Sequence, residues 1–203
     1  MNRGADRHRD LQKERPMKTN GIIQKFSCFL FILLISACAT GMPGIPGAIS
    51  ESQSQFDGTK QVSMEPAWLY STYIKLALFK NSKMNKDDII MTAVVKGAHN
   101  FAKGASLHFN VDGDIISFNS VDSLTDINTS SGSVGSEIYI PPSNWSSKDY
   151  VVSKQFINKI INANKVIVKI DLRKSYVEGK FSHDGYTTAR PAFREFLKKI
   201  ETL

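Results

Sequence analysis

The sequence predicts an α+β fold, in which an antiparallel sheet built from hairpins carries two helices of the C-terminal third. Three observations lead to this prediction. Apolar residues alternate along short segments, turn residues separate those segments, and two later stretches repeat apolar residues at helical spacing. Residues 59–203 are long enough to form a single soluble α+β domain around one core.

The first predicted strands lie between residues 61 and 96. Residues 61–64 read as a short strand that stops near Pro66. Residues 73–80 and 88–96 both alternate, and the polar connection between them predicts a hairpin. The inward positions are expected to be Ile74, Leu76 and Leu78 on the first of these strands, and Ile89, Met91, Ala93 and Val95 on the second.

The clearest local signal is the hairpin around Asp112-Gly113, a dipeptide favoured in two-residue type I′ turns. Pairing outward from this turn sets Phe109 opposite Ile116 and Leu107 opposite Phe118. This register joins apolar residues on one face, and a shift of one residue would destroy it. The apolar face is expected to hold Ala105, Leu107, Phe109 and Val111, and the polar face Ser106, His108 and Asn110.

The last third reads as strand, helix, strand, strand, helix. Ser153 is a good N-cap for a helix whose apolar residues are Phe156, Ile157, Ile160 and Ile161. Residues 165–172 alternate strictly and pair with 175–181, which sets Lys169 opposite Glu178. Thr188 is expected to cap the final helix, whose apolar stripe is Ala192, Phe193, Phe196, Leu197 and Ile200.

Between these regions lies a polar stretch. Residues 119–136 are rich in Ser, Thr and Gly and predict a long loop, and residues 137–140 predict a short strand after it. Trp145 follows in another polar stretch. It either anchors a partner or, as is more usual for a tryptophan, folds back onto the core.

The N-terminal region has the pattern of an export signal. Lys18 and Lys25 precede the apolar run 26–35, and small residues lead to Cys38. The ending Leu34-Ile35-Ser36-Ala37-Cys38 resembles the lipobox of bacterial lipoproteins. Residues 1–16 are densely charged, so Met17 is the more natural start, and residues 1–37 read as a charged lead and signal peptide that is removed.

The resemblance to lipoproteins implies cleavage between Ala37 and Cys38 and lipidation of Cys38, which becomes the first mature residue. In many Gram-negative lipoproteins, an Asp after the cysteine retains the protein in the inner membrane. The residue here is Ala39, which implies an outer-membrane location for a Gram-negative host.

Two alternatives to lipidation remain. The apolar run is shorter than the roughly 20 residues of a transmembrane helix. Ala37-Cys38-Ala39 also fits ordinary secretory cleavage, which would give a soluble secreted or periplasmic protein. In the lipoprotein interpretation, residues 38–58 are the lipidated cysteine followed by a flexible, Gly-, Pro- and Ser-rich tether.

Charge and cysteine content limit the class of protein. Residues 1–37 carry a net charge of +4, so only +3 of the chain's +7 remains after their removal. This small charge, without a basic stripe, argues against nucleic-acid binding. One cysteine remains in the mature chain, so no intramolecular disulfide is expected.

Few residues suggest chemistry, and we predict no catalytic residue, metal site or cofactor. The mature histidines, His99, His108 and His183, follow no metal-binding spacing. The hairpin register does place His108 across from Ser117, with Asp112 and Asp114 at the turn. These are the parts of a nucleophilic site, but the nucleophile turn G-x-S-x-G is absent from the sequence.

Three functional hypotheses follow. The leading one is a non-enzymatic envelope lipoprotein, attached to the membrane by its lipid, that binds a protein or cell-wall partner. The second is a module that binds lipid or a small apolar ligand in a pocket lined by Phe, Ile and Leu. The third is a hydrolase that uses His108 and Ser117.

Overall fold

The computed structural model describes residues 45–70, 73–130, 133–134, 139–140, 143–181 and 189–203. Its strands are β1 (Ile49–Gln53), β2 (Lys60–Trp68), β3 (Ile74–Asn81), β4 (Asp88–Lys96), β5 (Ala105–Val111), β6 (Asp114–Asn119), β7 (Asp126–Ser130), β8 (Ser133–Val134), β9 (Tyr139–Ile140), β10 (Ser143–Ser153), β11 (Val166–Asp171) and β12 (Tyr176–Lys180). Its helices are α1 (Lys154–Asn162) and α2 (Ala189–Ile200). The predicted α+β class is confirmed.

The strands form two main antiparallel sheets. One has six strands in the order β1-β2-β3-β4-β10-β7, and the other has four in the order β12-β11-β5-β6. Isolated bridges join them at two places, between Tyr70 and Lys180 and between Ser120 and Tyr150. The two sheets therefore curl toward each other and share one interior.

The β5–β6 hairpin has the predicted register. Phe109 pairs with Ile116, Leu107 with Phe118 and His108 with Ser117. Asp112 and Gly113 adopt φ values of 52° and 108°, the left-handed conformation that a type I′ turn needs at both central positions. The local turn thus fixes which side chains lie on each face.

Two neighbouring positions of this hairpin, Ala105 and Ser106, differ from the prediction. The register shifts between Ala105 and Leu107, so Ser106 turns inward and is fully buried, whereas Ala105 is exposed. A strict alternation of faces places Ser106 on the polar side. A β-bulge adds one residue to a strand and breaks that alternation.

The other predicted hairpins are confirmed. All the inward positions expected on β3 and β4 are buried. On the β11–β12 pair, Lys169 lies opposite Glu178, as expected, and Ile170 lies opposite Val177. The N–H of Phe181 donates to the Val166 carbonyl, which continues the pairing beyond β12.

Both helices pack by their apolar stripes. The Ser153 hydroxyl accepts a hydrogen bond from the Phe156 N–H, which confirms the predicted N-cap of α1. The predicted stripe of α2 is buried, and Pro191 lies in its first turn. Thr188 and His183 lie outside the described residues. Within the described ranges, no helix is long and apolar enough to cross a membrane.

The tether prediction is wrong for residues 49–53, which form β1 on the edge of the six-stranded sheet. This strand is held by contacts distant in sequence. The Ser50 and Ser63 hydroxyls are 2.8 Å apart, and Lys199 of α2 forms a 2.7 Å ion pair with Glu51. A polar edge strand has little hydrophobic periodicity, so composition alone reads it as linker.

Three other boundaries differ from the prediction. β2 continues past Pro66 because the register shifts between Met64 and Ala67, and a bulge accommodates a proline. The predicted loop 119–136 contains β7 and β8, and β7 pairs with the start of β10. β10 begins at Ser143, so Trp145 lies in a strand rather than a loop.

Candidate functional site

A groove of about 840 Å³ lies between the β5–β6 hairpin and α1. It opens where β6 and β10 separate. The residue after β6, Ser120, forms a bridge with Tyr150 of β10. From there β10 continues to Ser153, the N-cap of α1. The lining residues are Val111, Asp112, Asp114, Ile116, Phe118, Ser153, Gln155, Phe156, Asn158, Lys159, Asn162 and Ala163.

The floor of the groove is aromatic. Phe118 and Phe156 pack edge to face with ring centroids 4.7 Å apart, and Phe109 lies behind them at 6.0 Å from Phe118 and 4.9 Å from Phe156. Phe109 is fully buried, whereas Phe118 and Ile116 are only half-buried. The groove therefore exposes the margin of the core to solvent.

The rim of the groove is polar. Lys159 of α1 reaches Asp114 of the hairpin at 3.0 Å, and both side chains are largely exposed. The Asp112 carboxylate accepts hydrogen bonds from the N–H groups of Asn164 and Lys165 at 3.1 and 2.7 Å. Asp112 therefore ties the turn to the start of β11, a structural role.

β6 is also the last strand of its sheet. Among the described residues, no strand pairs along the side of 114–119 that faces away from β5. Such an edge presents backbone N–H and C=O groups to whatever lies beside it. The groove thus combines apolar side chains with an unpaired strand edge.

On the opposite face of this sheet lie the sequence-predicted His108 and Ser117. The structure brings them together, with His108 Nδ1 2.7 Å from Ser117 Oγ. It also adds a carboxylate that the sequence reasoning missed. This is Asp171, whose Oδ2 lies 3.0 Å from His108 Nε2. A depression of about 330 Å³ lies beside them. Its lining residues are His108, Asn110, Ile115, Ile167, Lys169, Asp171 and Glu178.

Lys169 and Asp171 also interact on this face, where Lys169 Nζ lies 2.9 Å from Asp171 Oδ1. Partial burial acts to raise the pKa of Asp171, but the hydrogen bonds and charges of Lys169 and His108 outweigh it, so this pKa lies below its ordinary value. Hydrogen bonding to Asp171 raises the pKa of Lys169. Asp171 is therefore a stable anion.

Trp145 belongs to another cluster, on the outer face of the six-stranded sheet. Lys75 Nζ lies 4.2 Å from the Trp68 ring centre and 4.1 Å from that of Trp145. The two indole rings meet edge to face at 5.8 Å. Partial burial lowers the pKa of Lys75. Trp145 is half-buried and packs against neighbouring strands of the sheet.

Several sequence-predicted residues fall elsewhere. Ala37 and Cys38 lie outside the described residues. His99 is exposed, and its backbone N–H donates to the Ser146 hydroxyl at 2.8 Å. In the part of the chain that the structure describes, no three His, Cys, Asp or Glu side chains are grouped as metal ligands would be.

In comparisons with family models, with curated protein sequences and with solved structures, no match to this chain is found. The candidate sites are therefore described from the structure of this chain itself. The chain has an α+β fold with two curled sheets, an open apolar groove beside α1 and a polar His108–Ser117–Asp171 chain on the outer face.

Proposed function

We propose that this chain is a lipid-anchored protein of the cell envelope, without enzymatic activity, that binds a protein partner through the groove beside α1. The acyl group on Cys38 supplies the membrane attachment, and Ala39 directs the protein to the outer membrane of a Gram-negative host. The residues after the anchor supply the binding surface.

The observation that carries the proposal is the form of the groove. Its floor is aromatic and its rim is polar, but it is shallow and open. Small-molecule sites bury most of their ligand, and an open groove would leave a lipid or small apolar ligand partly in water. A protein partner brings its own surface and completes the burial. An apolar side chain over Phe118 and Phe156, surrounded by polar contacts, has the usual anatomy of an interface.

The interior of the protein supports the same choice. The buried apolar residues of both sheets and both helices form one continuous cluster. The apolar side chains that the groove exposes to solvent, Ile116 and Phe118, pack at the margin of this cluster. An extended segment of a partner could also pair with the β6 edge, which would add backbone hydrogen bonds to side-chain contacts.

Site-specific photo-crosslinking in intact cells tests the proposal. A benzophenone amino acid replaces Ile116, which lines the groove, or Ile115, the adjacent residue on the opposite face of β6. We expect position 116 to give a discrete protein adduct, identifiable by mass spectrometry, and position 115 to give none. Equal labelling at both positions, or no adduct at 116, would contradict the proposal. An adduct of lipid mass alone would favour the lipid-binding alternative.

The anchor has a separate test. Intact mass and membrane partition are compared for the wild type and for Cys38→Ser. We expect a wild-type chain that begins at Cys38 with added acyl mass, and a variant that lacks this mass. A soluble, unacylated wild type would indicate ordinary secretion.

A second candidate function rests on one observation, the Asp171 contact that completes a Ser–His–Asp chain. In such a hydrolase, Ser117 Oγ attacks an ester carbonyl while His108 Nδ1 takes its proton and Asp171 stabilises the imidazolium. The C–O ester bond then breaks, the alcohol leaves with the proton from His108, and water, deprotonated by His108, hydrolyses the acyl-serine. The nearby cation Lys169 forms an ion pair with Asp171, so its charge serves that carboxylate rather than a reacting ester. A fluorophosphonate probe distinguishes this candidate. Labelling of the wild type that is lost in Ser117→Ala would support it, and an unlabelled wild type would exclude serine-nucleophile chemistry at this site.

A further inference from the structure

We propose that one end of the six-stranded sheet, which we name the aromatic end (Trp68, Tyr70, Tyr73, Lys96 and Lys180), rests on the anionic lipid surface to which Cys38 is anchored. This inference rests on the proposed lipid anchor. It adds an orientation: the aromatic end faces the bilayer and the groove faces away from it.

The strand pairing places these residues together. β2 ends at Trp68, and the Leu69 N–H donates to the Ile74 carbonyl, which brings Tyr70 and Tyr73 to the tip between β2 and β3. The Lys96 N–H donates to the Tyr73 carbonyl, and Lys96 pairs with Trp145 at the start of β10. The bridge between Tyr70 and Lys180 adds the end of β12.

The chain enters the domain at this same end. Ile49 pairs with Met64, and the Gly47 N–H donates to the Glu65 carbonyl. The Glu65 N–H donates in turn to the Ala48 carbonyl, so Gly47 and Ala48 lie beside Glu65, three residues before the end of β2. The Ala48 N–H donates to the Ile45 carbonyl, so a turn over residues 45–48 keeps Ile45, the first described residue and 52% exposed, close to Ala48.

The chain between Cys38 and Ile45 is short, which limits how far the domain can lie from the lipid anchor. Six residues lie between Cys38 and Ile45, and the seven residue-to-residue steps of this connection span at most about 25 Å when extended. Since residues 49–53 belong to the sheet, they cannot lengthen the connection. A lipid on Cys38 would thus hold the aromatic end close to the membrane.

The chemistry of the aromatic end suits a lipid headgroup region. Tyr70 and Tyr73 are 55% and 56% exposed, and tyrosine and tryptophan favour the membrane–water interface. Lys96 and Lys180 are exposed, and cations near an anionic leaflet are attracted to it. Segments 66–77, 92–106 and 143–147 contain no Asp or Glu. The acidic residues that border these segments are Glu65, Asp149, whose carboxylate accepts from the Thr92 hydroxyl, and Asp126, which pairs with Ser147; Glu178 lies two residues before Lys180.

The proposed orientation also leaves the groove accessible. β10 runs from Trp145 at the aromatic end to Ser153 at the groove. Eight residues of strand cover about 26 Å. A partner could therefore reach the groove while the aromatic end stays on the lipid.

Fluorescent labelling of the acylated protein tests the inference. Acylation of Cys38 leaves no other thiol in the mature chain, so Tyr73→Cys or Ile115→Cys can be labelled singly with an environment-sensitive nitrobenzoxadiazole. Each labelled protein is reconstituted into phosphatidylcholine vesicles with or without about 30% phosphatidylglycerol, which supplies the anionic surface potential.

We expect a blue shift and a rise of roughly two-fold or more in emission at position 73, because the label enters the interface. Position 115, a similarly exposed site on the distant hairpin, should stay unchanged. Lys96→Glu with Lys180→Glu should remove most of the rise at position 73 on anionic vesicles.

The failures are distinguishable. An acylated protein that floats with the vesicles but keeps position 73 in water overturns the orientation and leaves the anchor intact. Equal changes at positions 73 and 115 also overturn it. A protein without acyl mass overturns both the anchor and the orientation.

Discussion

The Ser106 and Tyr150 hydroxyls are 2.8 Å apart, and both residues are fully buried. Ser106 belongs to β5 of the four-stranded sheet and Tyr150 to β10 of the six-stranded sheet, so this hydrogen bond joins the two sheets through the interior. Burial raises the pKa of Tyr150 to about 12, although the Ser106 hydrogen bond acts in the opposite direction. The pair therefore prefers the neutral phenol.

A double-mutant cycle measures this pair. Tyr150→Phe leaves the Ser106 hydroxyl buried without its partner, and we expect a loss of roughly 1–3 kcal/mol in the free energy of unfolding. Ser106→Ala should cost a similar amount, because it orphans the phenol. The double variant should lose less than the sum of the singles in urea denaturation. Strictly additive losses would show that the two hydroxyls do not interact.

Tyr150 also predicts a loss of stability at alkaline pH. Because its folded pKa of about 12 exceeds the ordinary value of 10.0, its contribution is complete below pH 10 and is lost as pH rises toward 12. A shift of this size corresponds to at most roughly 3 kcal/mol. Thermal unfolding between pH 9 and about pH 11 should show a steeper decline for wild type than for Tyr150→Phe. Parallel declines would assign the alkaline transition to other groups.

Arg190 is expected to be the most sensitive charged residue of α2. Its guanidinium is buried and donates to the carbonyls of Ile161 at 2.9 Å, Ala163 at 3.1 Å and Phe181 at 3.3 Å. Arg190→Ala removes these charge-assisted bonds and should cost roughly 2–3 kcal/mol. Arg190→Lys should recover only part of this, since one ammonium cannot reproduce the planar fork.

The control for Arg190 is Arg194→Ala, on the exposed face of the same helix. We expect a change within about 0.5 kcal/mol, as is usual for surface substitutions. Equal effects at both positions in denaturant titrations would mean that the carbonyl contacts of Arg190 contribute nothing to stability.

The N-cap of α1 offers a smaller effect. Ser153→Ala removes the acceptor for the Phe156 N–H and should cost about 1 kcal/mol, whereas Ser153→Asp should retain most of the stability. Ser147→Ala, on the outer face of the same strand, is the matched control. Midpoints of urea unfolding suffice for the comparison. A Ser153→Ala midpoint equal to that of the control would contradict a capping role.

Sequence reasoning succeeded where local chemistry decides the structure. The dipeptide Asp112-Gly113 predicts the β5–β6 register from turn chemistry alone, and Ser153 predicts the start of α1. The predictions were wrong where contacts with a neighbouring strand determine the local structure. Polar β1 is held by β2 and Lys199, and the bulge that turns Ser106 inward carries no signal in the alternation.

The candidate sites show the same division. The hairpin register predicts the His108–Ser117 contact, but Asp171 joins it only because β11 pairs with β5, across 63 residues of chain. Strict alternation along β11 did place Asp171 on the outer face, which was the available signal. The groove depends on how β6 and α1 diverge, which no periodicity encodes.

The path of the chain through the two sheets has a consequence for folding. After β4 the chain leaves the six-stranded sheet to form β5 and β6, returns to it as β7 and then as β10 beside β4, and only then supplies β11 and β12 to the second sheet. Each sheet is thus built from segments that strands of the other sheet interrupt in sequence. We therefore expect a single cooperative transition, slowed by its long-range pairings, and no cut between the sheets that leaves a half able to fold alone.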